Sequence, residues 1–231
     1  MKDLILGRRL GLWAGAQSIH RILMLYSSSD QVVQRMKPRL LTKDGISFGD
    51  CGLVFSDLAF KKILMGNFAW PNQKMFLRNP MIAVVCLIQL LKVKSLYRNA
   101  TESRDIGLLL AASIEAILTY ANHHESCKKL LSSDQNSTIK IGTLSSTILY
   151  LIYFDFNCNW TLMKANKNQS ASCSLEFKDD NCAKLAALGN LDQWLAVTDG
   201  SIVIKGKISI IEKFGYIARI VQREVPKPCY D

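Results

Sequence analysis

Histidine is almost missing from this sequence: His20, His123 and His124 are all there is. Ser-His-Asp and Cys-His catalysis both need an imidazole beside the nucleophile, and only an assembly built from the remote His20 would supply one. The GxGxxG, GxSxG and HExxH patterns are absent as well. Proline (five) and glycine (13) are too scarce for a low-complexity chain. No two cysteines form a CxxC pair. The seven stand singly, their number is odd, and Cys86 lies in a core-like apolar run. This is the cysteine usage of a reduced, intracellular compartment, cytoplasmic or nuclear, with thiols serving as small hydrophobes. An arginine-containing, acid-poor N-terminus leaves a mitochondrial presequence as a lesser option.

Acidic side chains are also in short supply. Asp and Glu number 19 against 29 Lys and Arg, a formal charge of +10. Such a balance suits nucleic acid, an anionic membrane or an acidic partner. The basic residues are scattered, however, with no dense arm or tail, so the charge is read first as a solvated surface. The apolar share of 49% is that of a globular chain, and 231 residues suffice to bury most of it.

What is present is a succession of apolar runs. Asn79-Pro80 opens the run 81–91, in which only Gln89 is polar. Asn is a good N-cap and Pro is at ease at the first helical position, so the sequence predicts a covered helix here, too short to span a bilayer. A second helix is expected over 103–122, where Glu115, Thr119 and Asn122 share one narrow polar face. A short third one follows over 125–131. Around this centre the apolar spacing predicts helices at 1–26, over a short stretch capped by Ser29 or Asp30 and ending at Met36, at 57–65, at 139–156 with a strand as the alternative from Thr147 on, at 181–197 and at 207–223. Gly7, Gly11 and Gly15 form a ridge on the first that suits a tight helix contact. Residues 42–52, with three glycines and two aspartates, are expected as a loop. Residues 157–178, rich in Asn, Lys, Ser and Gln, are expected as a mobile one. The segment 201–205 alternates weakly, a strand or the start of a helix, which leaves a short β-hairpin near 200–210 as an option within an all-α fold. The resulting organisation is a helical block (1–156), a mobile loop (157–178) and a C-terminal helical pair (179–231).

The segment from Ala111 to Asn122, followed by Cys127-Lys128-Lys129-Leu130-Leu131, resembles the long inner helix of an armadillo- or HEAT-type repeat running into the next unit. Comparable helices recur about every 40 residues, which fits degenerate units of that kind. The resemblance implies irregular stacked helices and a non-catalytic scaffold binding other proteins along a helical groove, of the kind found at the cytoskeleton and the centrosome. The alternative is a basic helical module that contacts nucleic acid, with Trp160 beside Lys164 and Tyr97 beside Arg98 as stacking candidates. A membrane span is not expected.

Candidate chemistry is thin. His123 and Cys127 are four residues apart and could face one metal from a helix, but zinc wants three or four ligands and no fourth is near in sequence. Gly206-Lys207 superficially resembles a phosphate loop. The gap from Gly200 is one residue too long, and Ile208 stands where Ser or Thr must meet magnesium. No catalytic, cofactor-binding or metal residue is therefore assigned, no cofactor is expected, the chain is read as not an enzyme, and partner-binding residues are left unassigned.

Overall fold

The computed structural model describes residues 2–26, 31–41, 45–49, 53–72, 80–145 and 147–226, and among them are eight β-strands in two sheets, so the all-α expectation is overturned. The chain divides into two units: Met1–Ala100 with Arg223–Asp231, and Thr101–Gln222.

The first unit contains α1 (Lys2–Tyr26), α2 (Gln31–Arg35), β1 (Pro38–Leu41), β2 (Gly45–Phe48), β3 (Leu53–Ser56), α3 (Asp57–Leu64) and α4 (Pro80–Asn99). The strands form an antiparallel sheet in the order β1-β2-β3. The region expected as a loop at 42–52 thus contains β2. Ile46 and Phe48 point into the core, where the Phe48, Phe55 and Phe60 rings pack at 5.7–6.4 Å between centroids. Arg9 ties α1 to this sheet. Its guanidinium donates to the carbonyls of Leu41 and Gly45, both at 2.7 Å, and pairs with Asp57 at the start of α3. Leu41 and Gly45 are register partners at the closed end of the β1–β2 pair, so one side chain fastens a hairpin mouth and a helix start together. Gly15 lies against Leu64 of α3 so closely that a β-carbon there would overlap the leucine methyls. Ser56 caps α3 by accepting from Ala59 N at 3.2 Å.

The second unit contains α5 (Ser103–His123), α6 (Glu125–Leu131), a 3₁₀ turn (Ser132–Asp134), β4 (Ile139–Thr143), β5 (Leu149–Phe154), β6 (Trp160–Lys164), β7 (Cys173–Phe177), α7 (Asp180–Leu188), α8 (Gln193–Thr198), β8 (Ile202–Gly206) and α9 (Ile208–Glu224). Its sheet runs β6-β5-β4-β7-β8, antiparallel except for the central β4–β7 pair. The run 139–156, expected as one helix, is a pair of strands. The hydroxyls of Thr143, Ser145 and Thr147, 2.9–3.3 Å apart, organise the turn between them. The stretch 157–178 carries β6 and β7. Its remaining residues cross the sheet, where Lys140 donates to the carbonyls of Lys167 and Gln169 at 3.2 Å each. The segment 202–206 is a strand, but it pairs with β7 and makes no local hairpin.

With two sheets in place of serial helix pairs, the armadillo or HEAT resemblance does not hold, and a narrower likeness to the C-terminal part of rotatin, which rested on the same segment, falls with it. Residues 111–122 do form a long helix, but α5 is the core helix of an α/β unit. It is also the one described helix long and apolar enough to cross a membrane, and 72% of that stretch is buried inside the protein.

The face opposite α5 carries Leu149, Leu151, Met163 and Val203, of which Leu151 is buried, and side-chain alternation gives the second sheet a more fully apolar face on the side of α5. Register places Ile139, Ile141, Tyr150, Ile152, Leu162, Leu175, Phe177, Ile202 and Ile204 on it. Two links seat α5 there. The Tyr150 hydroxyl donates to the Gly107 carbonyl at 2.9 Å, near the start of the helix. Near its end, the Asn122 side chain donates to the Trp160 carbonyl at 2.9 Å and accepts from the Trp160 N–H at 2.7 Å. Removing the tyrosine hydroxyl deletes this link and leaves the Gly107 carbonyl only its helical bond, so Tyr150→Phe is expected to lower stability by about 0.5–1.5 kcal/mol. A urea titration reads this directly; an unchanged midpoint would mean that the hydroxyl link is not part of what seats the helix.

Candidate apolar ligand groove

The apolar face of the second sheet is covered unevenly. Along one register row the five strands contribute Lys164, Tyr150, Ile141, Leu175 and Ile204. Tyr150 is buried under α5, whereas the three aliphatic residues beside it are only half-buried. In the rows on either side, Ile139, Ile152, Phe177 and Ile202 are fully buried. Three neighbouring aliphatics left partly open on the inner face of the sheet make the strip over β4, β7 and β8 the candidate apolar groove of this unit.

The elements over that half of the sheet are short. Helix α7 packs on α5, β4 and β7. Its Ala183 is buried, while Leu185 and Leu188 are only half-buried. The helix is well made nonetheless: Asp179 accepts from Cys182 N at 2.8 Å, and Gly189 ends it in the left-handed conformation at φ 72°. Burial of the Asp179 carboxylate is a minor influence beside that backbone N–H bond, and the group is held below its ordinary pKa. Helix α8 rests on β8 through buried Ala196, and turns Trp194, Leu195 and Val197 outward, Trp194 at 80% exposure. Capping by Asp192, which accepts from Trp194 N at 3.0 Å and Leu195 N at 3.2 Å, shows that this outward apolar surface belongs to a formed helix.

The polar groups at the edge of the unit serve structure. Asp134 is 3% exposed and receives Lys207 at 2.6 Å, Lys213 at 2.5 Å and Ser133 at 3.1 Å. Burial alone would raise its pKa, but the two lysines and the serine outweigh it and bring the carboxyl down to about 2. Lys207 is therefore engaged by a carboxylate. Gly206 takes φ +85° where a β-carbon would meet the Ser172 carbonyl. The Gly206-Lys207 pair is a strand end, in agreement with the rejection of a phosphate loop. Burial also raises the Cys173 thiol to about 11, which makes it inert as a nucleophile at neutral pH.

The sequence candidates do not converge. His124 Nδ1 lies 3.5 Å from Cys127 Sγ, and its ring stacks on Tyr120 at 6.0 Å. Among the described residues no group of three or more His, Cys, Asp or Glu is placed to hold a metal. His20 is largely buried in the first unit with Nε2 unpartnered. Burial first, and then the charges of Arg21 and Lys37, hold its pKa near 4. Trp160 is 3% exposed, clamped edge-on between Phe154 and Phe214 at 5.4 Å from each, so it offers no face to a base. That removes one of the two stacking candidates; the other, Tyr97, is half-buried on α4 beside exposed Arg98, and neither a nucleic-acid module nor a protein-binding groove between stacked helices has support in a sheet-based unit. The aliphatic row was missed by sequence reading, although Ile139/Ile141, Cys173/Leu175/Phe177 and Ile202/Ile204 alternate with period two.

No family model matches the chain, and neither does any curated protein. Among solved structures it is similar to a ubiquinone synthesis protein titled UbiJ-SCP2, at 14% identity over 49% of this chain and 96% of that one, TM-score 0.37. It is also similar to the sterol carrier protein domain 2 of Helicoverpa armigera, at 11% identity, 51% and 91% coverage, TM-score 0.38. A third is sterol carrier protein 2 from Yarrowia lipolytica in its apo form, at 14% identity, 42% and 86% coverage, TM-score 0.29. At such scores these likenesses fix neither the fold nor the ligand of this chain.

Two of the described groups with lowered pKa values, His20 and Asp134, are shifted far enough to mark separate windows in the acid response. Both have folded-state pKa values below their ordinary ones, so the stability each contributes is complete above the ordinary value and is lost as pH falls through the folded one. His20 should act between pH 6.5 and about 4, and Asp134 between 3.8 and about 2. Denaturant midpoints measured across this range are expected to fall in both windows. His20→Gln should flatten the upper one and Asp134→Asn the lower. A profile unchanged by either substitution would refute the corresponding assignment.

Proposed function

We propose that this protein binds a lipid-like apolar ligand without altering it chemically. The observation that carries this reading is the half-open row Ile141–Leu175–Ile204 on the otherwise buried face of the second sheet. Aliphatic side chains in such a row gain roughly 25 cal/mol for each Å² removed from water, and the fold leaves part of that gain unused. A flexible hydrocarbon chain or fused ring system fits the chemistry of the lining, which is aliphatic. The outward Trp194 and Leu195 on α8, set on the adjoining strand, give a ligand further apolar surface on its way in. An intracellular setting is supported by Cys86, Cys127, Cys158, Cys173 and Cys182, which are thiols outside any disulfide.

Titration with a dansyl-labelled long-chain fatty acid tests the proposal. Saturable binding with a blue-shifted emission is expected. Leu175→Gln, at a half-buried position, should weaken it about tenfold or more, because a buried amide without a partner costs about 1–3 kcal/mol. Leu58→Gln, on an exposed residue of α3, should bind as the unsubstituted protein does. Absence of saturable binding, or equal affinity in a folded Leu175→Gln protein, would refute the groove.

A further inference from the structure

Helix α4 of the first unit has two unlike sides. Ala83, Cys86, Leu90, Val93 and Leu96 are buried and face the α1–α2 side, where α4 packs. On the other side Met81, Val84, Val85, Ile88 and Leu91 are exposed, Met81 at 85%. Their spacing is i, i+3, i+4, i+7 and i+10, one continuous stripe over the first three turns. Farther along the same side the stripe gives way to exposed Lys92, Ser95 and Arg98.

The charge along this part of the sequence is one-sided. From Asp57 to Glu102 the chain contains no other acidic residue, yet it places Lys61, Lys62, Lys74, Arg78, Lys92, Lys94 and Arg98 in that interval. A solvated face would mix signs and carry few large apolar groups. The outward side of this acid-free helix, an aliphatic stripe running into lysine and arginine, offers the two groups that an interfacial contact uses: apolar side chains for the acyl boundary and basic ones for anionic headgroups.

We propose that the outward side of α4 docks the protein on an anionic phospholipid bilayer, with the helix axis in the membrane plane. The stripe enters the interface and Lys92 and Arg98 contact lipid phosphates. This is a surface contact and requires no spanning segment. It stands on a different unit from the ligand groove and does not depend on it.

The test is co-sedimentation of the full chain with vesicles of phosphatidylcholine alone and of phosphatidylcholine mixed with phosphatidylserine. Binding to the mixed vesicles, reduced by salt and far weaker on phosphatidylcholine, is expected. Lys92→Glu and Arg98→Glu should each lower the partition coefficient about fivefold or more. Ile88→Asp, on the exposed side and so compatible with folding, should abolish sedimentation while leaving titration of the dansyl fatty acid unchanged. The converse holds for Leu175→Gln, which separates failure of this inference from failure of the groove. Absence of binding to the mixed vesicles, or unaltered binding by Ile88→Asp, overturns the proposal. So does a protein that elutes as a dimer which Ile88→Asp converts to monomer, since the stripe would then belong to a second copy.

Discussion

The second unit depends on how α5 is fastened to its sheet. The helix is held near both ends by buried polar links, Tyr150 to Gly107 at one and Asn122 to the Trp160 backbone at the other. Apolar packing is non-directional, and an apolar helix on an apolar sheet could slide or rotate at modest cost. Three directional bonds, separated by about four turns of helix, remove that freedom. They also fix which strands receive cover: both anchors lie on β5 and β6, at one side of the sheet.

The uneven burial of the inner face follows from that geometry. Because α5 is committed to the β5–β6 side, β7 and β8 must be covered by α7 and α8, of nine and six residues. Short helices expose more of what they cover, and the row Ile141–Leu175–Ile204 stays half-open beneath them. The groove is thus a consequence of helix length and anchoring. No special residue was needed to make it, which is why no motif announces it.

Several helices of both units were legible in the sequence. The helix over 103–122 and the helix start at Pro80 correspond closely to α5 and α4, while the expected Asn79 cap lies outside the described residues. The sheets were not legible, for two opposite reasons. In 139–156 the apolar content is so high that a two-strand pair resembles one long helix; Gly142 and the Thr143–Thr147 hydroxyl turn are the only breaks. In 157–178 the apolar content is so low that strands resemble loop. Trp160/Leu162 and Cys173/Leu175/Phe177 nevertheless keep strict alternation with Thr161, Ser174 and Glu176. Total apolarity misleads in both cases, and the period of alternation would have separated them. The groove residues were hidden by the same error, since they acquire meaning only once the register of β4, β7 and β8 is known.

Asp134 bears on the order in which this unit can assemble. Its two cations come from Lys207 and Lys213, more than seventy residues later in the chain. Until β8 ends and α9 lies down, the 132–134 turn cannot leave water without stranding a carboxylate. The turn that introduces the sheet is consequently completed by the helix that follows it. The hairpins of β4, β5 and β6 can form locally, but closing the unit waits on contacts of high sequence separation, which are slow to form. That dependence couples the beginning of the sheet to its far edge, so that the unit should be gained or lost as a whole.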